Sequence, residues 1–279
     1  LIGGRSAAKA EAFITLHSFA NTAEAHAIDI FGNLGAALTQ IAPDIVIHTT
    51  GPFQSQDHRV AKACVAHGCH YLDLADARDF VSAISTLDAQ AIAQDLLVVS
   101  GASSVPCLTA AVVDHYQLDF VTLESIDYGI SAAQQTNRGQ ATTAAILSYV
   151  GKPFTILKNG KPHTTYGWQD THSIQYPKLG RRWLGNCSIP DLDLFPARYP
   201  GVKTIRFAAG HEIALLHAGT WVLSWLVRLG LIHNLASRAA SLLRIAFAFD
   251  WMGSSRSGFH MILSGTGQNG DPHEIRYFV

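Results

Sequence analysis

From residue 1 to about residue 116, short apolar runs alternate with stretches whose apolar residues recur at helical spacing, the sequence form of successive β-α units on a parallel sheet. Strands are predicted near residues 1–4, 25–30, 44–49, 69–74 and 96–100. Ser6 is placed to cap a helix with Ala7, Ala10, Phe13 and Ile14 on its apolar face, and Asp57 to cap another carrying Val60, Ala61, Cys64 and Val65. The runs at 44–50 and 96–101 are nearly continuous in apolar residues, as expected of central strands covered on both faces. After Tyr116 the pattern changes. Residues 120–128 alternate their faces, which predicts a longer strand opening a second domain. Residues 152–200, rich in Gly, Pro, Asn and aromatic side chains, are expected to form irregular loops between a helix near 139–150 and a strand near 202–208. Residues 258–264 and 273–279 flank a Gly/Asn/Asp turn and predict a hairpin. The expected architecture is α/β: a Rossmann-like doubly wound parallel sheet over residues 1–117, then an α+β substrate or dimerisation domain over 118–279.

Composition narrows the function. The chain has 279 residues, 48% of them hydrophobic and 15% charged, enough apolar material for a sizeable core. Its 20 basic and 21 acidic side chains leave no charge excess to hold a polyanion, so nucleic acid is excluded as an expected partner. Cys64, Cys69, Cys107 and Cys187 form no disulfide framework, which suits a reducing, cytoplasmic setting. The stretch 213–232 carries one charged residue, Arg228, and two tryptophans, Trp221 and Trp225. Its length permits a membrane span, but His217 and Arg228 are costly in hydrocarbon, and Gly219 and Gly230 suit breaks between soluble helices. It is expected to be buried in the subunit or in a homodimer, with peripheral membrane contact as the alternative.

The chemistry concentrates in the first domain. No Gly-x-Gly-x-x-Gly turn occurs in the chain. Gly3-Gly4-Arg5-Ser6 instead suits the end of a second Rossmann strand, where an acidic residue selects NAD and an Arg accommodates the 2′-phosphate of NADP. Gly4, Arg5, Ser6 and Lys9 are therefore candidate cofactor residues; an exposed Arg and Lys at a helix start is the plainer alternative. Thr49, Thr50, Gly51, Pro52 and Phe53 follow the next strand at its carboxyl edge, where cofactor crevices form, and Phe53 can pack against a ring. Tyr71 and Asp73 share one face of the following strand and are the candidate catalytic pair, for hydrogen bonding and proton relay; core or capping roles are the alternative. Ser103 is a candidate helix cap and crevice contact, since Val105 in Gly101-Ala-Ser-Ser-Val105 would crowd a nucleophile elbow. The run Cys64, His67, Cys69, His70 crosses a helix-to-strand turn and does not converge on a metal, and His211-Glu212 lacks the second His of a zinc protease. No metal is expected.

Taken in order, Gly3-Gly4-Arg5-Ser6, Thr50-Gly51-Pro52-Phe53, His70-Tyr71-Leu72-Asp73-Leu74 and Gly101-Ala102-Ser103-Ser104-Val105-Pro106 resemble the bacterial saccharopine dehydrogenase-like family. Phe195-Pro196, Val202–Phe207, Gly210-His211-Glu212 and Gly253-Ser254 resemble its second domain. The family includes trans-acting enoyl reductases. The resemblance implies an NADP-dependent oxidoreductase transferring hydride to or from a small or thioester-linked organic substrate. A non-catalytic scaffold or membrane-peripheral protein retaining the fold is the alternative. It also implies that the first strand and glycine turn precede Leu1 and that the second domain is incomplete at Val279; as it stands, the chain is expected to bind NADP poorly.

Overall fold

In the computed structural model, residues 1–18, 22–136 and 138–279 are described. The chain begins with β1 (Ile2–Gly4), α1 (Ala7–Leu16), β2 (Ala25–Ala27), α2 (Leu34–Ile41), β3 (Ile45–His48), α3 (Arg59–Ala66), β4 (His70–Asp73), α4 (Arg78–Ser82), α5 (Asp88–Ala93) and β5 (Val98–Val99). It continues with α6 (Thr109–Tyr116), β6 (Phe120–Ala132), α7 (Gln140–Tyr149), β7 (Pro153–Lys158), β8 (Lys161–Tyr166), β9 (His172–Tyr176) and β10 (Gly180–Asn186). Last come α8 (Asp191–Arg198), β11 (Thr204–His211), α9 (Ala214–Arg228), α10 (Ala239–Phe247), β12 (Gly258–Gly267) and β13 (Pro272–Phe278).

The first of two units comprises Leu1–Thr49, Asp57–Leu74 and Ala83–Ser100. All its strand pairs are parallel: β1 with β2, and separately β3 with β4 and β4 with β5, in register Ile45↔His70 and Tyr71↔Val98. Its core gathers Leu38, Val60, Ala61, Cys64, Cys69, Tyr71 and Leu87, so the apolar face read for α3 is the buried one. Asp57 accepts a hydrogen bond from the Arg59 backbone N–H at 3.1 Å, at the start of that helix. The expectation of strands covered on both faces fails at β3, where Ile45 and Ile47 are 46% and 60% exposed. Side chains alternate along a strand; Val46 packs into the core and His48 is buried, while the face bearing the two isoleucines is not covered.

The second unit takes Thr50–Gln56, Ala75–Ser82 and Gly101–Val279. Six strands form a sheet in the order β13-β12-β6-β11-β10-β9, in which only β6 and β11 run parallel. The alternation read over 120–128 places Ile126 and Tyr128 on the buried face, packed with Met261 and Leu263 of β12 and with Leu192 and Phe195 of α8. Each such side chain contributes about 1.5–3 kcal/mol on burial. Gly129 permits the close packing, because a Cβ there would lie 2.3 Å from the Ala208 carbonyl oxygen. The loops expected over 152–200 are instead four strands and a helix. The signal was present: Asn159-Gly160, both with positive φ (51° and 73°), form the two-residue turn that joins β7 to β8.

The stretch 213–232, expected to be buried in the subunit or in a homodimer, is only partly buried within the subunit. Helix α9 buries His217, Ser224 and Val227 and exposes Leu215, Trp221, Val222, Trp225 and Leu229. Among the described residues no helix is long and apolar enough to cross a membrane.

Candidate functional site

In the first unit β1 ends at Gly4, Arg5 follows, and Ser6 caps α1, its Oγ accepting from the Lys9 backbone N–H at 3.4 Å. The first turn of α1 has no acidic residue, so the positive end of the helix dipole is not offset there. Arg5 and Lys9 are exposed, and among the described residues neither forms an ion pair. A strand end, a helix N-terminus and two cationic side chains therefore meet in one turn, with donors suited to a phosphate. Thr49 is exposed at the end of β3.

At the carboxyl ends of the three-stranded sheet lies a buried polar chain. The Tyr71 hydroxyl donates to Asp73 Oδ2 at 3.0 Å, Ser100 Oγ donates to Asp73 Oδ1 at 2.9 Å, and His48 Nδ1 lies 3.0 Å from the Tyr71 hydroxyl. Because the single Tyr71 proton goes to Asp73, the pattern assigns a proton to His48 Nδ1, which donates to Tyr71. Burial lowers the His48 pKa, with Asp73 opposing. Burial and the Asp73 charge raise that of Tyr71. Tyr71 and Asp73 are thus together, as their alternation on β4 requires, but both are buried in this network. Sequence reasoning missed His48 and Ser100, which lie on neighbouring strands and carry no motif of their own.

The Thr50–Phe53 segment belongs to the second unit. Gln56 Nε2 donates to the Thr50 carbonyl and, at 3.2 Å, to that of Pro52, which fixes the turn around exposed Gly51. Phe53 is buried against Phe80, ring centroids 5.2 Å apart, with Ala75, Ala77 and Val81 around them. Beside it Gln54 Nε2 donates to Asp76 Oδ1 at 3.1 Å. Desolvation raises the Asp76 carboxyl and lifts the Tyr149 phenol to about 12, Gln54 acting against both shifts. Ser103 Oγ donates to the Val105 carbonyl at 3.0 Å, a turn-closing contact. Gly101 is required there: its φ is +82° and a Cβ would meet Pro106 Cδ at 2.6 Å.

Two motifs acquire structural roles. Glu212 accepts from the backbone N–H groups of Gln134 and Ser254, from Ser254 Oγ and from Arg182; burial pushes its carboxyl up, but these donors outweigh it and hold it at about 2. Gly210-His211-Glu212 and Gly253-Ser254 are thereby tied together. Cys64 is a buried thiol whose pKa burial raises, Cys69 Sγ donates to the Cys64 carbonyl, and among the described residues no three His, Cys, Asp or Glu converge on a metal position. Asp191, which carried no sequence signal, is fully buried; it accepts from Thr109 Oγ1 at 2.6 Å and Tyr128 OH at 2.8 Å, and burial lifts it to about 6.

A Rossmann-like parallel domain is followed by a mixed-sheet domain, an architecture similar in fold to a solved saccharopine dehydrogenase. Residues 1–119 match the family described as the saccharopine dehydrogenase NADP binding domain. Across 99% of this chain and 79% of its own, apo saccharopine dehydrogenase (L-Glu forming) from Saccharomyces cerevisiae is similar, with a TM-score of 0.63 at 12% identity. An amine dehydrogenase from Mycobacterium smegmatis covers 99% of this chain and 78% of its own at 10% identity, but its TM-score of 0.43 is too low to argue from. No curated protein matches the chain in sequence.

Proposed function

We propose that this chain is an NADP-linked oxidoreductase that transfers hydride between the cofactor and a small or thioester-linked organic substrate. The observation that carries the cofactor choice is the turn at Arg5, where cationic side chains that form no ion pair among the described residues stand at a strand end and helix N-terminus with no acidic residue in the first helical turn. Those residues fit a 2′-phosphate: the Arg5 fork and Lys9 supply charge, and Gly4 and Ser6 supply close backbone approach and a hydroxyl. The match of residues 1–119 to a NADP binding domain and the oxidoreductase fold support the same reading.

When bound, the nicotinamide cofactor supplies or accepts the hydride. The remaining work falls to the chain. Thr49, Thr50 and Gly51 offer backbone groups at the end of β3, stiffened by Pro52, while Phe53 anchors that turn through Phe80. The candidate pair Tyr71 and Asp73 acts through its hydrogen-bond chain to hold His48 in one orientation, with Ser103 holding the turn after β5. Oxidation of NADPH by the purified protein, followed by absorbance against imino acids, enoyl thioesters and carbonyl compounds, tests the function. Turnover with one of these classes supports it; no oxidation with any of them, by protein that a titration shows to bind NADPH, overturns it.

A further inference from the structure

Helix α9 presents an apolar stripe to the outside as well as packing an apolar side inward. His217, Ser224 and Val227 face the interior, while Leu215, Val222 and Leu229, the last just past the helix end, recur at every second turn and form an exposed stripe flanked by Trp221 and Trp225. An exposed apolar face of this kind marks an interaction surface. Its partner is indicated by charge. From residue 213 to residue 249 the chain contains Arg228, Arg238 and Arg244 and no Asp, Glu or Lys, and all three arginines are exposed. Arg228 sits over the Trp225 and Tyr166 rings at 4.9 and 3.8 Å, a guanidinium beside aromatic rings as at a membrane–water boundary.

We infer that the exposed face of α9, with the adjoining edge of α10, docks onto the surface of an anionic lipid bilayer. The helix lies on the bilayer, because its 15 residues span only about 22 Å against a hydrocarbon core of about 30 Å. Arginines without intervening acids complement anionic headgroups, while tryptophan and leucine enter the headgroup–acyl boundary. A cavity of about 310 Å³ between α7, α9 and α10 adds room for an acyl chain: its walls include Leu147, Leu216, Leu223 and Leu242, and exposed Leu215 and Ile245 stand among its lining residues. A second copy is the poorer occupant, since a two-fold interface centred on this face would set like-charged segments together with no acidic residue from 213–249 to meet them.

Flotation with phosphatidylcholine vesicles, with and without phosphatidylglycerol, tests the proposal on the full chain. The protein floats with the phosphatidylglycerol vesicles, its tryptophan emission shifts to the blue, and salt weakens the binding. The double variant Val222→Glu/Leu229→Glu, at exposed positions, loses at least about tenfold in partitioning, the effect of placing charge in the acyl boundary. Arg238→Gln/Arg244→Gln loses about tenfold or more on anionic vesicles only. Thermal melting curves like that of the parent establish that both variants are folded. Equal binding to both vesicle types, or binding to neither, overturns the proposal. So does a sedimenting dimer that Val222→Glu/Leu229→Glu dissolves without any vesicle binding, which would assign the face to a second copy.

Discussion

In β12 of the second unit Met261 and Leu263 are fully buried, whereas in β3 of the first unit Ile45 and Ile47, in an equally apolar run, face outward. Strand β12 pairs on both edges, with β6 and β13, and shares its core cluster with Leu192 and Phe195 of α8; among the described residues β3 pairs with β4 alone. Hydrophobic residues make a strand possible, but only a covering layer converts them into stability. Particular arginines also differ in how their charge is met. The second unit holds Arg182 on Glu212 and Arg206 on Asp127 within its own structure, while the first leaves Arg5 without an ion pair among the described residues. Ions already satisfied stabilise a fold; one left without a partner at a strand end is available to a ligand.

The largest expected effect is in the second unit. Leu263→Ala should cost about 2–5 kcal/mol in urea denaturation followed by tryptophan fluorescence, from lost transfer energy and the cavity left behind. A cost below that range would mean the sheet core is less well packed than β12 implies. Next is the buried carboxyl of Asp191. Its folded pKa, raised from an ordinary 3.8 to about 6, means that its contribution is present below about pH 4 and is lost as pH rises through about 6. The loss is about 3 kcal/mol. Relative to wild type, Asp191→Asn should therefore be insensitive to this window, as paired denaturation curves at its two ends would show; parallel pH profiles would refute the burial argument.

A smaller effect tests the polar chain of the first unit. Tyr71→Phe keeps the ring but leaves Asp73 and His48 each short of a partner, at about 1–3 kcal/mol. Local hydrogen exchange in β3 and β4 should rise, and no change would make the network incidental. The smallest effect completes the comparison: Ile47→Ala, at a position 60% exposed, should lie within about 0.5 kcal/mol of wild type.

The strand positions of the first unit were legible because alternating apolar runs and Ser6 before a helical pattern depend on local spacing. The hairpin of β7 and β8 was legible too, in Asn159-Gly160, but a count of Gly, Pro and Asn hid it as loop. What local spacing does not contain is which side of an element is covered. The stretch around α9 is apolar nearly all round, so its sequence does not say which side is covered; the fold buries His217, Ser224 and Val227 and leaves Leu215, Val222 and Trp221 exposed. The candidate site divides in the same way. Arg5, Ser6 and Lys9 were readable because they lie in one turn, whereas the contacts of Tyr71 and Asp73 with His48 and Ser100 join residues 23 and 27 positions apart.

The central claim, that the turn at Arg5 receives the 2′-phosphate of NADP, is tested most directly by titrating NADPH and NADH into the wild-type protein and Arg5→Ala. The account predicts that wild type binds NADPH more tightly than NADH, and that Arg5→Ala weakens NADPH about tenfold while leaving NADH unchanged, the loss of one charge-assisted contact. Equal affinity for the two nucleotides in wild type, or equal weakening of both in the variant, would contradict it.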